Sequence, residues 1–156
     1  MLHITKRVDY ALIALTHLAL HREERFAARE IAETYHLSRP LMANVLKELS
    51  RGELVRSVRG TKGGYEILHD PATLPVGRVV ELLEGPLQIA ACITNGCEPN
   101  DDEECCSAVS VCPVKHSVFQ IHARIRDILY GQSIADLARE GKRKRSSILP
   151  VIEIEN

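Results

Sequence analysis

The chain has 156 residues, is 45% hydrophobic and lacks Trp, which suits one domain, or one domain with an extension, around a core of Leu, Ile, Val and Ala. Its formal net charge of −1 neither marks nor excludes a nucleic-acid partner, because such binding depends on local basic surface. No apolar run reaches membrane length, and Asp9 and His17 interrupt the stretch after Lys6 and Arg7 that could otherwise mimic a signal peptide. The expectation is therefore a cytoplasmic chain with no membrane partner.

In chain order, residues 4–21 carry Val8, Ala11, Leu12, Leu15, Leu18 and Ala19, a spacing that draws one apolar stripe on a helix. A second helix is predicted from Ala28 to Tyr35, with Ile31 and Ala32 inward. The break at His36–Ser38 is short. Ser38 suits an N-cap and Pro40 a first helical turn, so a third helix carries Leu41, Val45, Leu46 and Leu49 and ends near Gly52. Residues 54–59 and 65–68 have strand character. Gly60, Gly63 and Gly64 between them make a turn, so the pair reads as a β-hairpin. A fourth helix is predicted from Val76 to Glu84, stopped by Gly85-Pro86.

Next come five cysteines, Cys92, Cys97, Cys105, Cys106 and Cys112, with none elsewhere. Thiols scattered through a core act as small hydrophobes. Thiols gathered in a stretch rich in Gly, Pro, Asn, Asp and Glu suit a soft metal or an iron–sulfur cluster. In a reducing compartment they read as metal-binding or redox-active rather than as a disulfide framework.

From Pro113 the apolar positions Val114, Val118, Ile121, Ile125 and Ile128 step by four, three, four and three, a short heptad seam. Val118, Ile121, Ile125 and Ile128 are the expected dimer contacts. Gly131 is a candidate C-cap, and Ser133 a candidate cap for a short helix through Leu137. Residues 141–156 read as a flexible basic tail.

Three helices and a hairpin predict a winged helix-turn-helix, a mainly α fold with a small β-hairpin and a long dimerisation helix. The third helix would enter a major groove of double-stranded DNA. Its expected exposed positions are Arg39, Ala43, Asn44 and Lys47. Asn pairs with adenine and Arg with guanine, while Lys47 suits a phosphate. The wing adds Arg56, Arg59, Thr61 and Lys62, and an Arg at a glycine-rich tip can enter a narrow minor groove. The expected organisation is a DNA-binding region with its connecting helix over 1–84, a cysteine-rich loop over 85–112, dimerisation and C-terminal helices over 113–140, and the tail.

The segment Leu2-His3-Ile4-Thr5-Lys6-Arg7-Val8-Asp9-Tyr10-Ala11-Leu12 resembles the start of the Rrf2 family of bacterial transcription regulators. The stretch Leu54 to Gly60 through Gly63-Gly64-Tyr65 resembles that family's wing. Residues 75–80 and 133–137 are also similar to family segments. The family includes cluster-bearing sensors of the IscR, NsrR and RirA type. The resemblance implies a homodimer on a palindromic operator, with the helix after the cysteines crossing to the partner. It further implies a two-iron or four-iron iron–sulfur cluster held by three cysteines and one other ligand.

By that likeness Cys92 and Cys112 stand at the expected ends, and Cys106 is the middle choice at a common family interval from Cys112. Cys97 and Cys105 are alternatives, since members typically carry three cysteines where this chain has five. Asp9, donated by the partner subunit, matches the context of an N-terminal carboxylate ligand in NsrR-like members. His116 is the alternative.

Two other readings keep part of this pattern. A structural zinc or a thiol switch could replace the cluster, although the tight knuckle of two cysteines two residues apart is missing. A small iron–sulfur electron carrier is a third, but ferredoxin spacings are absent. No nucleophile–base constellation, phosphate loop or paired catalytic carboxylate points to an enzyme.

Overall fold

A computed structural model describes residues 5–60, 63–93, 108 and 110–144. The first helix, α1 (Lys6–Leu20), turns Val8, Ala11, Ala14, Leu15 and Leu18 to one fully buried face. Thr5 caps it, its hydroxyl accepting from the Val8 amide at 3.4 Å. This helix is the hub of the molecule, since α3, α4, α6 and the second strand all pack against it.

Helices α2 (Ala28–Thr34) and α3 (Arg39–Arg51) form the helix-turn-helix. At the turn His36 takes a left-handed φ of 54°, and the Leu37 amide donates to the Ala32 carbonyl at 2.8 Å. The Ser38 amide at the head of α3 donates to the Tyr10 hydroxyl of α1 at 2.9 Å. Ser38 is the N-cap as predicted, yet its side chain makes no cap bond. The buried face of α3 is Met42, Val45, Leu46 and Leu49. Leu41, expected inward, is only half-buried, because Met42 takes the place beside Val45 and Leu46.

Strands β1 (Val55–Val58) and β2 (Gly64–Ile67) pair antiparallel, with Val55 opposite Ile67 and Arg56 opposite Glu66. Phe26 extends this sheet by exchanging both backbone bonds with Tyr65, at 3.2 and 2.9 Å. A Cβ at Gly64 would stand 2.8 Å from the Phe26 backbone, so glycine permits that close approach.

Helix α4 (Val76–Glu84) has the predicted bounds and closes at Gly85, whose φ of 82° favours glycine. A short 3₁₀ turn at Ala91–Ile93 follows. Helix α5 begins at Lys115 rather than Pro113 and runs to Gly131. Gln132 is its cap, so Gly131 is the last helical residue and not the cap expected. The chain then returns to the head. The Val76 amide donates to the Gln132 carbonyl at 2.8 Å, and the Ile134 amide to the Leu74 carbonyl at 2.9 Å.

Helix α6 (Ile134–Lys144) is longer than predicted. Ser133 and Asp136 cap each other, the Ser133 amide and hydroxyl donating to the Asp136 carboxylate at 2.9 and 2.6 Å. These bonds, the hydroxyl's first, hold the Asp136 carboxyl below its usual range. The helix packs on α1 through Ile134 and Ala138, and it carries on through Gly141 into the stretch expected to be tail. A glycine costs a helix interior only about 1 kcal/mol, too little to stop a helix already anchored on α1 by Ile134. Residues 145–156 of the expected tail lie outside the described residues. No helix among the described residues is long and apolar enough to cross a membrane.

No residue of α5 is fully buried within the chain. Ile121 and Ile128 are 52% and 67% exposed, and Val114 and Phe119 are exposed with them. Its anchor is Tyr130, whose hydroxyl donates to Glu81 of α4 at 2.5 Å and whose ring packs on Gly77. Both that bond and burial raise the Tyr130 pKa above its ordinary value. A Cβ at Gly77 would stand 2.5 Å from the Tyr130 ring. Gly77→Ala is therefore expected to lower stability by about 1–3 kcal/mol through overpacking, read by urea denaturation, and to loosen α5 from α4.

Candidate nucleic-acid interface and cysteine region

The helix-turn-helix and the strands beside it present a basic surface. Asn44, Lys47 and Arg59 are exposed, and no hydrogen bond or ion pair engages their side chains among the described residues. Ala43, expected exposed, is half-buried, since it sits next to the inward Met42 on the same turn. Thr61 and Lys62 lie outside the described residues.

The other two predicted arginines are engaged. Arg39 pairs with Glu33 of α2 at 2.8 Å, and Arg29 approaches the same carboxylate at 3.5 Å. Arg56 pairs with Glu66 across the hairpin, and Arg25 pairs with the other oxygen of Glu66 at 2.6 Å. The Arg25 guanidinium first, and Arg56 after it, hold the Glu66 carboxyl below the usual carboxylate range. Each carboxylate thus gathers two guanidinium groups on one patch. Arg25 and Arg29 were not singled out from the sequence. Their positions follow from the Phe26–Tyr65 bridge and the fold of α2, and only their proximity to a predicted helix-turn-helix could have flagged them.

Specific links tie α1 to α3 and to α4. Arg7 of α1 pairs with Glu48 of α3 at 2.5 Å, and that bond raises the Arg7 pKa. The Thr5 hydroxyl donates to Glu84 of α4 at 2.7 Å. Asp9, one turn into α1, is exposed, and no partner holds its carboxylate among the described residues.

Cys92 lies in the 3₁₀ turn, which packs against α5, and Cys112 lies just before α5. Both are free thiols and half-buried. Two partly sheltered thiols at the ends of the cysteine stretch, on adjoining elements, fit the donor chemistry of a thiolate-bound metal centre. Cys97, Cys105 and Cys106 lie outside the described residues. Among the described residues no three His, Cys, Asp or Glu side chains gather closely enough to hold a metal ion. His116 is exposed on α5, its Nε2 2.9 Å from Gln120 Nε2.

Comparison with known proteins gives a consistent picture. The sequence profile of the Rrf2 family, described as iron-dependent transcriptional regulators, matches residues 4–140. An HTH-type transcriptional regulator of Aquifex aeolicus is 33% identical over 130 residues, 83% of this chain and 87% of that one. The HTH-type regulator NsrR of Oceanobacillus iheyensis is 26% identical over 139 residues, 88% of this chain and 90% of that one. The structure of CymR, the global cysteine regulator of B. subtilis, superposes with a TM-score of 0.70 at 27% identity, covering 90% of this chain and 98% of that one. These relatives are regulators rather than enzymes, and the winged helix-turn-helix they share is the one described above. The chain belongs to the Rrf2 family of DNA-binding transcriptional regulators.

Proposed function

We propose that the protein is a homodimeric repressor of the iron–sulfur-sensing kind, whose operator binding follows the state of a cluster in the cysteine region. The observation that carries this reading is the confinement of all five cysteines to one stretch, with Cys92 and Cys112 free and half-buried at its ends. The family's iron dependence supports it. Cys92, Cys106 and Cys112 would supply thiolates and Asp9 of the partner subunit a carboxylate, with Cys97, Cys105 and His116 as the alternatives. When bound, such a cluster supplies a centre sensitive to iron supply, oxidation or nitric oxide.

The chain's own residues would carry the change. The 3₁₀ turn with Cys92 rests on α5, α5 rests on α4 through Tyr130, and Glu84 at the end of α4 holds Thr5 at the cap of α1. A change of fit at the cysteines thereby biases the helix on which the recognition helix is seated. A coupling of about 1–3 kcal/mol would suffice for regulation. The dimer expected through α5 sets two recognition helices at half-site spacing.

A second reading follows from the two cysteines beyond the three the cluster needs and from the likeness to CymR, a cysteine regulator. It replaces the cluster with a thiol switch or structural zinc. Visible absorption of anaerobically purified protein separates the two, since zinc and thiols are colourless. In the cluster reading, serine at Cys92, Cys106 or Cys112 abolishes the chromophore and serine at Cys97 or Cys105 leaves it. Asp9→Ala gives a labile or spectrally shifted cluster in an intact dimer. A colourless native protein would sink the cluster, and loss on Cys97→Ser with retention on Cys106→Ser would reassign the ligands.

On the DNA side, Asn44→Ala is expected to cost about 1–3 kcal/mol of discrimination between operator and random DNA, as a lost base contact does. Lys47→Ala is expected to weaken both equally and flatten the salt dependence, as a lost phosphate contact does. Arg59→Ala is expected to weaken operator binding while leaving the oligomer unchanged. Gel-shift titrations at several salt concentrations check all three.

The exposed face of α5 is the proposed seam, with Val118, Ile121, Ile125 and Ile128 meeting their partner copies. Ile121→Glu would bury an unpaired carboxylate there, at a cost of several kcal/mol. Sedimentation at micromolar protein is expected to show monomer, and a persistent dimer would place the seam elsewhere.

A further inference from the structure

We propose that a cavity between α1, α2 and α6 is a binding site for a small organic carboxylate. Its volume is about 490 Å³, within the range that encloses small ligands. Thr16, His17 and His21 line it from α1 and its cap, Thr34 and Tyr35 from the end of α2, and Lys142 from the last turn of α6. Every one of these polar side chains can donate a hydrogen bond. No Asp or Glu lines the cavity among the described residues. Two other hollows beside α6 are different, one including Asp70 in its wall and the other Asp136 and Glu140.

The inner end of the cavity is built rather than incidental. His17 is only 6% exposed, its Nδ1 lies 3.1 Å from the Tyr35 hydroxyl, and the edge of Phe26 packs against its ring. Leu20 adds an apolar wall. Glu24 lies 3.5 Å from His21 Nδ1 and is not among the residues that line the cavity.

The charge selects the ligand. Lys142 brings one permanent positive charge, and the remaining donors are hydroxyl and imidazole groups. One negative charge on a partly apolar body matches that set, because a buried charge is tolerated when it is paired and hydrogen-bonded. A dianion would leave the second charge unmatched.

The position gives such a ligand a role. Tyr35 caps α2, and His36 with its left-handed φ of 54° begins the turn into α3. A carboxylate held between Lys142 and the groups around Tyr35 would tie α6 to the turn that seats the recognition helix. The site shares no residue with the cysteine region, so it stands whether that region holds a cluster, zinc or free thiols.

The test is a titration of the isotope-labelled full-length protein with benzoate and, in parallel, with neutral benzamide, followed by amide chemical shifts. Saturable shifts are expected at Thr16, His21, Thr34 and Tyr35, with benzoate binding roughly tenfold more tightly than benzamide, the gain of a single charge-assisted bond. Lys142→Gln is expected to abolish that preference, and His21→Ala to weaken benzoate binding. Both positions are on the surface, so the variants keep the fold, and the unperturbed remainder of the spectrum verifies it. Absence of saturation, equal binding of benzamide, equal shifts with sodium chloride, or an unchanged preference in Lys142→Gln would each overturn the proposal.

Discussion

Two backbone hydrogen bonds, Val76 to Gln132 and Ile134 to Leu74, close the chain on itself. Between them lie α4, which itself packs on α1 and gives Val79 and Leu83 to the same core, then the cysteine stretch and α5. Closing so long a loop costs little more entropy than closing a short one. The closure lets α6 come back onto α1 and contribute Ile134 to the core of the head. Both ends of this stretch are thus fixed to the DNA-binding region.

Electrostatics sets a second constraint on the head. Glu33 and Glu66 each hold two arginines, whereas Lys47 and Arg59 carry unmatched charge among the described residues. A phosphate meets the first group with part of its N–H donors already engaged by carboxylate, and the second with all of its donors open. Exposed ion pairs contribute little to stability, so the value of these clusters lies in how they pose the guanidinium groups. A formal net charge of −1 is compatible with a basic working surface because there two carboxylates, Glu33 and Glu66, face the four guanidinium groups of Arg25, Arg29, Arg39 and Arg56.

Much of the fold was legible in the sequence because it rests on local signals. The bounds of α4 followed from Pro75 and Gly85, the helix-turn-helix from Ser38, Pro40 and the apolar stripe of α3, and the hairpin from its glycines. What was not legible depended on tertiary contact. The last helix reads as ending at Leu137, yet α6 runs on through Gly141 to Lys144. Met42 in place of Leu41 depends on how α3 is rotated against its neighbours, which the apolar stripe alone does not fix. The engagement of Arg56 was half visible, since the hairpin register sets Glu66 opposite it, but Arg25 reaches the same carboxylate only through the Phe26–Tyr65 bridge. Of the cysteine region, pattern disclosed the concentration of thiols. It could not order five cysteines among three positions, because spacing along a chain does not determine which sulfurs meet in space.

The bond from the Ser38 amide to the Tyr10 hydroxyl has a consequence for how the head can be watched. Most first-turn amides of a helix face solvent, and their exchange with water reports nothing about distant parts of a protein. Here the amide at the head of the recognition helix is engaged by a side chain from α1, the helix on which α4 and α6 also rest. Its protection is therefore a native gauge of the seating of one helix on the other. Any event that tilts α1, whether it arises at the cysteines or at α6, registers as a change in the exchange rate of that one proton.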